Sequence, residues 1–552
     1  MLRGGPLSSS TQPPRPFGAP LRVHGDLQQG GESLLLPNWI ALPSRRFFFH
    51  IFLLCSGLLS ACSTSPKTDA NGNPLETTLS GEALAHQHCQ SCHLFPEPVL
   101  LDTATWRRGV LPNMRKRLGL SQEPMFSGMS PDDMAEVAKT DAYPMQPQLA
   151  EADMRKIEAY YLSHAPAALP SQPTKPLVST GLPGFDVTLH RVAKNRLPIL
   201  TQVKIDPLRR RSYFSDQVGR VRVFDQTFRL VDSLKGPTAV SDVLPQANGS
   251  YLALTIGIMP PNDLAQGGLY ECTPGQSPHA LLDSLRRPVH LSQADLNADG
   301  LPDALVCSYG NTLGRLSWFE FPKNREPVEH VLAERPGARC TTVADFTGDG
   351  KPDVLALFAQ GLEGISLFVN EGKGVFREEV LLSFPPVYGS SYVSAVDFDL
   401  DGDLDLLYTN GDNADYSYRQ KPYHGVRLFF NDGKNKFKQA WFFPLHGAQQ
   451  ADARDFDSDG DLDIATIGFF PAPTRQREGF VLLQQTRPLT FTAHTFAGAE
   501  EGRWLTMACA DADGDGDDDI LLGSYRRPGM GSLEAPEKGF PEWVFLRNRL
   551  KK

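Results

Sequence analysis

Five consecutive residues, Cys89-Gln90-Ser91-Cys92-His93, carry the most specific chemistry in the chain. C-x-x-C-H is the attachment signature of c-type haem, in which two thiols add to the porphyrin vinyl groups and the adjacent imidazole becomes the proximal iron ligand. Residues three apart on one helical turn share a face, so the spacing predicts both sulfurs at the ring edge and His93 beneath the iron. A redox C-x-x-C pair would follow a strand in a βαβ context, and a zinc site would need two further ligands close by; the sequence offers neither. The expectation is one covalent haem c per chain.

A second chemistry recurs five times, as Asp295/Asn297/Asp299/Asp303, Asp345/Thr347/Asp349/Asp353, Asp397/Asp399/Asp401/Asp405, Asp455/Asp457/Asp459/Asp463 and Asp511/Asp513/Asp515/Asp519. In each loop, oxygens at positions 1, 3, 5 and 9, with a backbone carbonyl at 7, can surround a hard cation, and the glycine at position 6 permits a sharp turn. Carboxylates this crowded repel one another unless a cation balances them. An all-oxygen set favours calcium over a transition metal. Up to five structural calcium ions are expected, the weakest where Thr347 replaces an acid or amide. A purely structural acidic turn would explain one copy, not five.

The loops also organise the chain. Their spacings are 50, 52, 58 and 56 residues, and each is followed by a hydrophobic strand such as Leu406-Leu407-Tyr408 and later by another such as 426–430. A period near 50 with several short strands per unit predicts propeller blades. Two units with the strand pattern but no acidic loop precede them, at 203–223 and around Asp242 with 251–255. Five and two make seven blades, with six or eight left open. The last strand, Trp543-Val544-Phe545-Leu546, is expected to close the ring against an N-terminal strand. The repeats resemble the FG-GAP or VCBS type found in integrin-like propellers, although the literal Phe-Gly and Gly-Ala-Pro pieces are mostly missing.

Upstream the pattern is helical. Gly81 opens a helix that runs into the C-x-x-C-H motif. Further helices are expected at 103–118, with Trp106, at 132–140, and at 150–163, where Met154, Ile157, Tyr160 and Tyr161 recur at helical spacing. Residues 77–166 resemble a small class I cytochrome c. That resemblance implies a closing helix packed across the first, so that the aromatic stripe is core. It also implies a distal methionine ligand. Met145, in Tyr143-Pro144-Met145-Gln146-Pro147 and 52 residues after His93, resembles the family's Met-Pro-Pro loop. Met114 is the rival, Met125 and Met129 are weaker, and a methionine in such a unit is more often core filler.

Residues 1–44 are rich in Pro, Gly and Ser without periodicity. Arg45-Arg46, the apolar run 47–54 and the small residues before Cys62 read as a secretory leader, too short for an ordinary transmembrane helix. Leu59-Ser60-Ala61-Cys62 resembles the bacterial lipobox, which implies lipidation of Cys62; a plain signal peptide with an incidental cysteine is the alternative. Ser63 after that cysteine implies the outer membrane of a Gram-negative cell, facing periplasm or exterior. The expected organisation is a leader at 1–61, a tether at 62–76, a cytochrome c domain at 77–166, a Pro-rich linker at 167–186 and a propeller at 187–552. The fold class is thus multidomain, a small all-α domain followed by an all-β propeller.

The full chain has 552 residues and a formal charge of −10. Loss of 1–61 removes five Arg and two acids, leaving about −13. This acidic balance and the lack of basic runs argue against nucleic acid. Cys272, Cys307, Cys340 and Cys509 could pair in an oxidising compartment. Upstream of the Asp loops, His290, Arg339, Tyr388, Tyr392, His446, Arg503 and Trp504 read first as ordinary rim residues and otherwise as candidates for a funnel pocket taking a carbohydrate or protein ligand. The reading is a lipid-anchored monohaem electron-transfer protein of the cell envelope with a redox partner protein and a calcium-stabilised docking propeller. No catalytic residue set emerges. Two alternatives remain: a quinone-dependent dehydrogenase passing electrons to its own haem, which would use His290 or His446 as base, and an adhesion or polysaccharide-binding protein with an accessory haem.

Overall fold

The computed structural model describes residues 68–70, 72–121, 129–140, 142–412, 419–528 and 536–550. The leader, Cys62 and Met125 lie outside these. Among the described residues, no helix is long and apolar enough to cross a membrane.

Seven sheets follow one another along the chain, at 200–235, 239–286, 288–333, 338–383, 390–444, 448–495 and 504–548, here blades 1 to 7. In blades 1 to 6 four antiparallel strands succeed one another from inner to outer edge. Blade 7 has only three such strands. Its fourth is Phe185–Arg191, paired antiparallel with Pro541–Asn548, Leu189 opposite Val544. An N-terminal strand and the last strand therefore share a sheet, which closes the ring as the sequence predicts. Phe185 begins this strand two residues before the expected start at 187.

Ring closure is visible in the packing as well. The second strands, such as Tyr251–Gly257, Asp353–Phe358 and Asp405–Asn410, are buried along their whole length. Outer strands such as Val375–Ser383 alternate towards solvent. A separate apolar cluster fills each of the seven gaps between neighbouring blades. The gap between blades 7 and 1, for example, holds Leu200, Phe214, Leu521 and Trp543. Cys272, Cys307, Cys340 and Cys509 each belong to a different one of these clusters and are free thiols. The pairing considered from sequence does not occur, because these cysteines serve as small apolar filler in separate gaps.

The Pro-rich segment is extended, as expected, but it is not a detached spacer. Gln172 donates to the His424 carbonyl at 2.9 Å, and Lys175 pairs with Glu478 at 2.6 Å. Val178–Thr180 then adds a fifth strand to blade 6, parallel to Thr490–Thr495.

The helical unit comprises α1 (Gly81–Cys89), α2 (Thr103–Thr105), α3 (Leu111–Arg117), α4 (Pro131–Val137) and α5 (Glu151–His164). Ser80 caps α1 by accepting from Ala83 N. A π turn, Trp106–Val110, joins α2 to α3. Leu84 and Ala85 of α1 pack on Met154, Ile157 and Tyr161 of α5, with Trp106 tilted on Tyr161 at 4.4 Å. The crossing needs glycine at position 81: a Cβ there would lie 2.1 Å from the Lys156 carbonyl oxygen. Val387 of the propeller joins this same core.

Three further contacts fix the helical unit to the propeller. Asp133 on α4 accepts from Asp263 N at 2.7 Å, and Glu136 pairs with Arg286 at 2.7 Å. On the other side, Tyr423 donates to the Leu100 carbonyl at 3.1 Å. Residues 263, 286, 387 and 423 all precede inner or third strands, on the face opposite the Asp loops.

Candidate haem and cation sites and the propeller cavity

The C-x-x-C-H motif straddles the end of a helix. Cys89 is the last residue of α1, and Gln90-Ser91-Cys92 form the turn that follows. The spacing predicts both sulfurs on one helical turn; the chain instead leaves the helix between them. Cys89 is half-buried beside Tyr161, and burial pushes its thiol up to about 11. Cys92 is exposed. His93 Nδ1 lies 3.0 Å from the Leu94 carbonyl, which orients the ring and leaves Nε2 as the nitrogen that could ligate a metal. Burial lowers the His93 pKa, favouring the neutral imidazole that iron requires. Two free thiols followed by an oriented neutral imidazole fit a covalent haem.

Met145 lies in an irregular loop and is 82% exposed. The loop itself is fixed, because Gln148 N donates to the Leu118 carbonyl at 2.9 Å and Arg117 stacks over Tyr143. Met114 is partly buried on α3, and Met129 stands just before α4. An exposed thioether on an anchored loop is not core filler.

The five Asp loops join the first and second strands of blades 3 to 7. They share one hydrogen bond: the position-1 carboxylate accepts the N–H of the position-6 glycine, at 2.9, 2.8, 3.1, 3.1 and 3.1 Å for Gly300, Gly350, Gly402, Gly460 and Gly516. All five glycines have φ between 84° and 99°, a region costly for any side chain. The position-9 aspartates are buried and pin the loop to its blade. Asp405, for example, accepts from Phe398 N at 3.0 Å and Asn431 N at 2.9 Å.

Three loops gather carboxylates closely enough for one cation. In Asp397/Asp399/Asp405, Asp455/Asp457/Asp459 and Asp511/Asp513/Asp519, one oxygen from each residue lies within 4.8 Å of the others. Asp397 Oδ1 and Asp457 Oδ1 are buried with no hydrogen-bond donor. So are Asp403 Oδ1 and Asp461 Oδ1 at position 7, where a backbone carbonyl was the expected ligand. Burial and the neighbouring acids push Asp463 up to about 7. Unpaired oxygens and protonation-prone carboxyls both fit a missing positive charge.

In each of these three loops the fourth expected ligand stands outside the group. Asp401 is exposed and stands outside the Asp397/Asp399/Asp405 group; its Oδ1 accepts Asp403 N at 3.1 Å. Asp463 and Asp515 are likewise outside the groups of their own loops. Among the described residues, the loops of blades 3 and 4 form no group of three carboxylates. In blade 3, Asn297 Oδ1 accepts Asp299 N at 3.0 Å, the exposed Asp299 accepts Leu301 N at 2.7 Å, and Asp303 accepts Leu296 N at 2.9 Å while Asp295 receives Gly300. In blade 4, Asp345 accepts Gly348 N at 2.7 Å, Asp349 accepts Lys351 N at 3.0 Å, and Asp353 accepts the N–H groups of Phe346 and Thr347. Asn297, Asp299 and Asp401 each close a turn on the N–H two residues ahead, a bond that Asp459 and Asp513 also make within their groups.

Some loops also have local cations. Lys351 lies on Asp349, and Arg547 reaches Asp513 at 2.6 Å and Asp515 at 3.2 Å. The loop containing Thr347 thus has a second feature that disfavours a metal.

A cavity of about 750 Å³ runs down the propeller axis between the inner strands. His290, Arg339 and Tyr392 line it. The remaining funnel candidates lie elsewhere. Tyr388 stacks on Tyr423 at 4.9 Å, Arg503 covers Phe469 and Phe470, Trp504 is fully buried in a blade gap, and His446 stands among Lys175 and Arg475, its pKa lowered to about 4, chiefly by burial.

Inside the cavity, a hydrogen-bonded girdle links neighbouring blades. Gln450 donates to the Met507 carbonyl, Thr506 donates to Gln202, and Gln202 donates to Asp242 at 3.0 Å. His290 Nδ1 meets Asp242 at 3.1 Å, and its Nε2 lies 3.2 Å from the Thr341 carbonyl. Burial would raise the Asp242 pKa, but the hydrogen bond from His290 and the charge of Lys204 outweigh it and hold the carboxyl well below its usual range. Both nitrogens of His290 are engaged, so this histidine ties blades together. The sequence singled out His290 but missed Gln202, Gln450 and Thr506, which share its place as third residue of an inner strand.

The cavity mouth adjoins the helical unit. Met259, Pro260 and Pro261 line it, and Asp263 in the same loop receives α4; Arg287 lines it, and Arg286 pairs with Glu136.

The FG-GAP-like repeat family matches residues 295–356 and 345–408. No curated protein matches the sequence. Similar solved structures include the Neurospora crassa Pan2 WD40 domain, at 10% identity over 67% of this chain and 97% of that one, TM-score 0.43. U3-55K is similar at 9% identity over 65% and 98%, TM-score 0.40, and the RRP9 WD40 repeats at 9% over 65% and 97%, TM-score 0.40. By its repeats and its sheet order, the chain is a seven-bladed β-propeller carrying FG-GAP-like repeats.

Proposed function

We propose that this chain is a lipid-anchored monohaem c-type electron-transfer protein of the cell envelope, whose calcium-stabilised propeller is a docking or ligand-binding module. The observation that carries the reading is C-x-x-C-H at the end of α1, with His93 oriented through Nδ1 and held neutral. Cys89 and Cys92 would hold the haem, His93 and Met145 its iron. Such a haem, when bound, exchanges single electrons with a partner. The chain's part is to fix the ligand orientations, to bury Cys89 against Tyr161, and to hold the whole unit on the propeller. Asp397 to Asp405 and Asp455 to Asp463 are the best-equipped calcium loops. Membrane attachment rests on Cys62.

The test is direct. Protein exported in a cell that matures c-type cytochromes should carry one haem that resists acidified organic solvent, and Cys62→Ser should move the protein to the soluble fraction. Haem that extracts freely, or survives in the Cys89→Ala, Cys92→Ala double variant, refutes the carrier reading.

The neighbourhood of cavity and helical unit favours one second reading, an oxidoreductase that oxidises a small molecule in the cavity. Neither expected base suits it, since His290 is doubly engaged and His446 lies outside the lining. Substrate-dependent haem reduction in protein supplied with pyrroloquinoline quinone, tested on sugars and alcohols, would promote it.

A further inference from the structure

We propose that the axial cavity of the propeller is a binding site for a small molecule with an apolar body and more than one carboxylate. This goes beyond the electron-transfer reading and does not depend on it.

Charge is the first argument. The chain is acidic overall, at −10, yet the cavity lining holds five Arg and Lys side chains against two Asp. A narrow cavity lined by one sign of charge concentrates the opposite sign. Some of that positive charge is already committed: Arg454 faces Asp452 at 3.6 Å and Asp518 at 3.5 Å. Among the described residues, the side chains of Lys204 and Arg339 form no ion pair or hydrogen bond, and both are partly withdrawn from solvent; the charge of Lys204 also acts on the buried Asp242. Lys204 stands on the inner strand of blade 1 and Arg339 on that of blade 4, across the ring from each other. Two cations on opposite walls ask for a ligand with anionic groups at both ends. Arg339 adds the forked geometry that matches a carboxylate.

The space between them selects the body. Met259, Pro260, Phe469 and Tyr309 add apolar and aromatic surface to the lining. At about 750 Å³ the cavity is within the usual range for small-molecule sites. The polar girdle beneath has satisfied its own hydrogen bonds and competes little for the ligand.

The experiment uses the full calcium-loaded chain and calorimetry, with benzene-1,3,5-tricarboxylate as probe and benzene-1,3,5-trimethanol as its uncharged counterpart. The tricarboxylate should saturate one site, at least about tenfold tighter than the triol, with affinity falling as salt rises. Arg339→Met and Lys204→Met should each weaken it about tenfold with the melting temperature unchanged, whereas Arg339→Lys, which keeps the charge but not the fork, should weaken it less than Arg339→Met. Should a Met variant fail to fold, Arg339→Gln tests the same charge. No saturable heat, equal affinity for triol and tricarboxylate, or affinity unmoved in folded Arg339 and Lys204 variants would each overturn the site. Since the readout is binding heat, it stands or falls separately from haem content.

Discussion

Glu136 on α4 and Arg286 at the end of blade 2 meet at 2.7 Å, and the residue after Arg286 lines the axial cavity. One ion pair therefore ties the C-x-x-C-H-bearing unit to the rim of the propeller's main opening. Beside it, the Asp133 carboxylate accepts from Asp263 N, while Asp263 itself accepts the N–H groups of Asn311, Thr312 and Leu313.

This junction should weaken on acidification. Hydrogen bonds from Lys139 and Arg286 lower the Glu136 carboxyl to about 2, against 4.5 ordinarily. A depressed carboxyl contributes stability that is complete above its unfolded value and disappears as pH falls from about 4.5 towards about 2. Arg286→Met should remove part of that acid-sensitive contribution, read as faster amide exchange in α4. Asp133→Ala leaves the Asp263 N–H without its acceptor and should cost more, about 1–3 kcal/mol. Unchanged exchange in both variants would mean that α4 is held by other contacts.

Axial ligation separates two methionines. Met145→Ala should abolish the weak far-red band of oxidised methionine-ligated haem and lower the potential, because a thioether favours the reduced iron. Met114→Ala should leave both unchanged. The reverse result would move the distal ligand onto α3.

Calcium should stabilise the propeller. An ion bound only by the native state adds RT ln(1 + [L]/Kd), about 2.7 kcal/mol at a hundredfold excess over Kd. Chelation should lower the propeller's melting temperature with the haem spectrum intact. Asp399→Asn and Asp457→Asn should each remove part of that chelator-sensitive shift, whereas Asp401→Asn should remove less. Lys351→Ala, which frees Asp349, should increase calcium uptake by the loop at 345–353. A melting curve indifferent to chelator would leave the loops as plain turns.

Ring closure should be expensive to disturb. Trp543 is 4% exposed, stacks on His190 at 3.5 Å and packs on Phe214 at 4.8 Å, in the gap where the first and last blades meet. Trp543→Ala should destabilise by about 3–5 kcal/mol in urea titration. A loss below about 1 kcal/mol would show that closure rests on the backbone ladder with Phe185–Arg191 alone.

The repeats, the C-x-x-C-H motif and the position-6 glycines were legible because each is a local pattern. A glycine at positive φ, a period near 50 and a three-residue cysteine spacing need no knowledge of distant residues. Blade number was legible by the same route, since five acidic loops and two plain units each encode one hairpin pair. The oxygens that converge within a loop were only partly legible. Spacing treats Asn297, Asp299 and Asp401 as equal to Asp399 and Asp457, but which oxygens converge is settled by side-chain rotation, which spacing does not record. The funnel was not legible. Sequence placed seven residues there, but only His290, Arg339 and Tyr392 line the cavity. Inner-strand residues alternate between the axis and a blade gap, and bulges in most inner ladders shift that alternation by one, as between Pro288 and His290. Whether a side chain points into the channel depends on that shift. The role of His290 depends on it too: the groups that engage it, the Asp242 carboxylate and the Thr341 carbonyl, stand on neighbouring blades, brought together only when the ring closes.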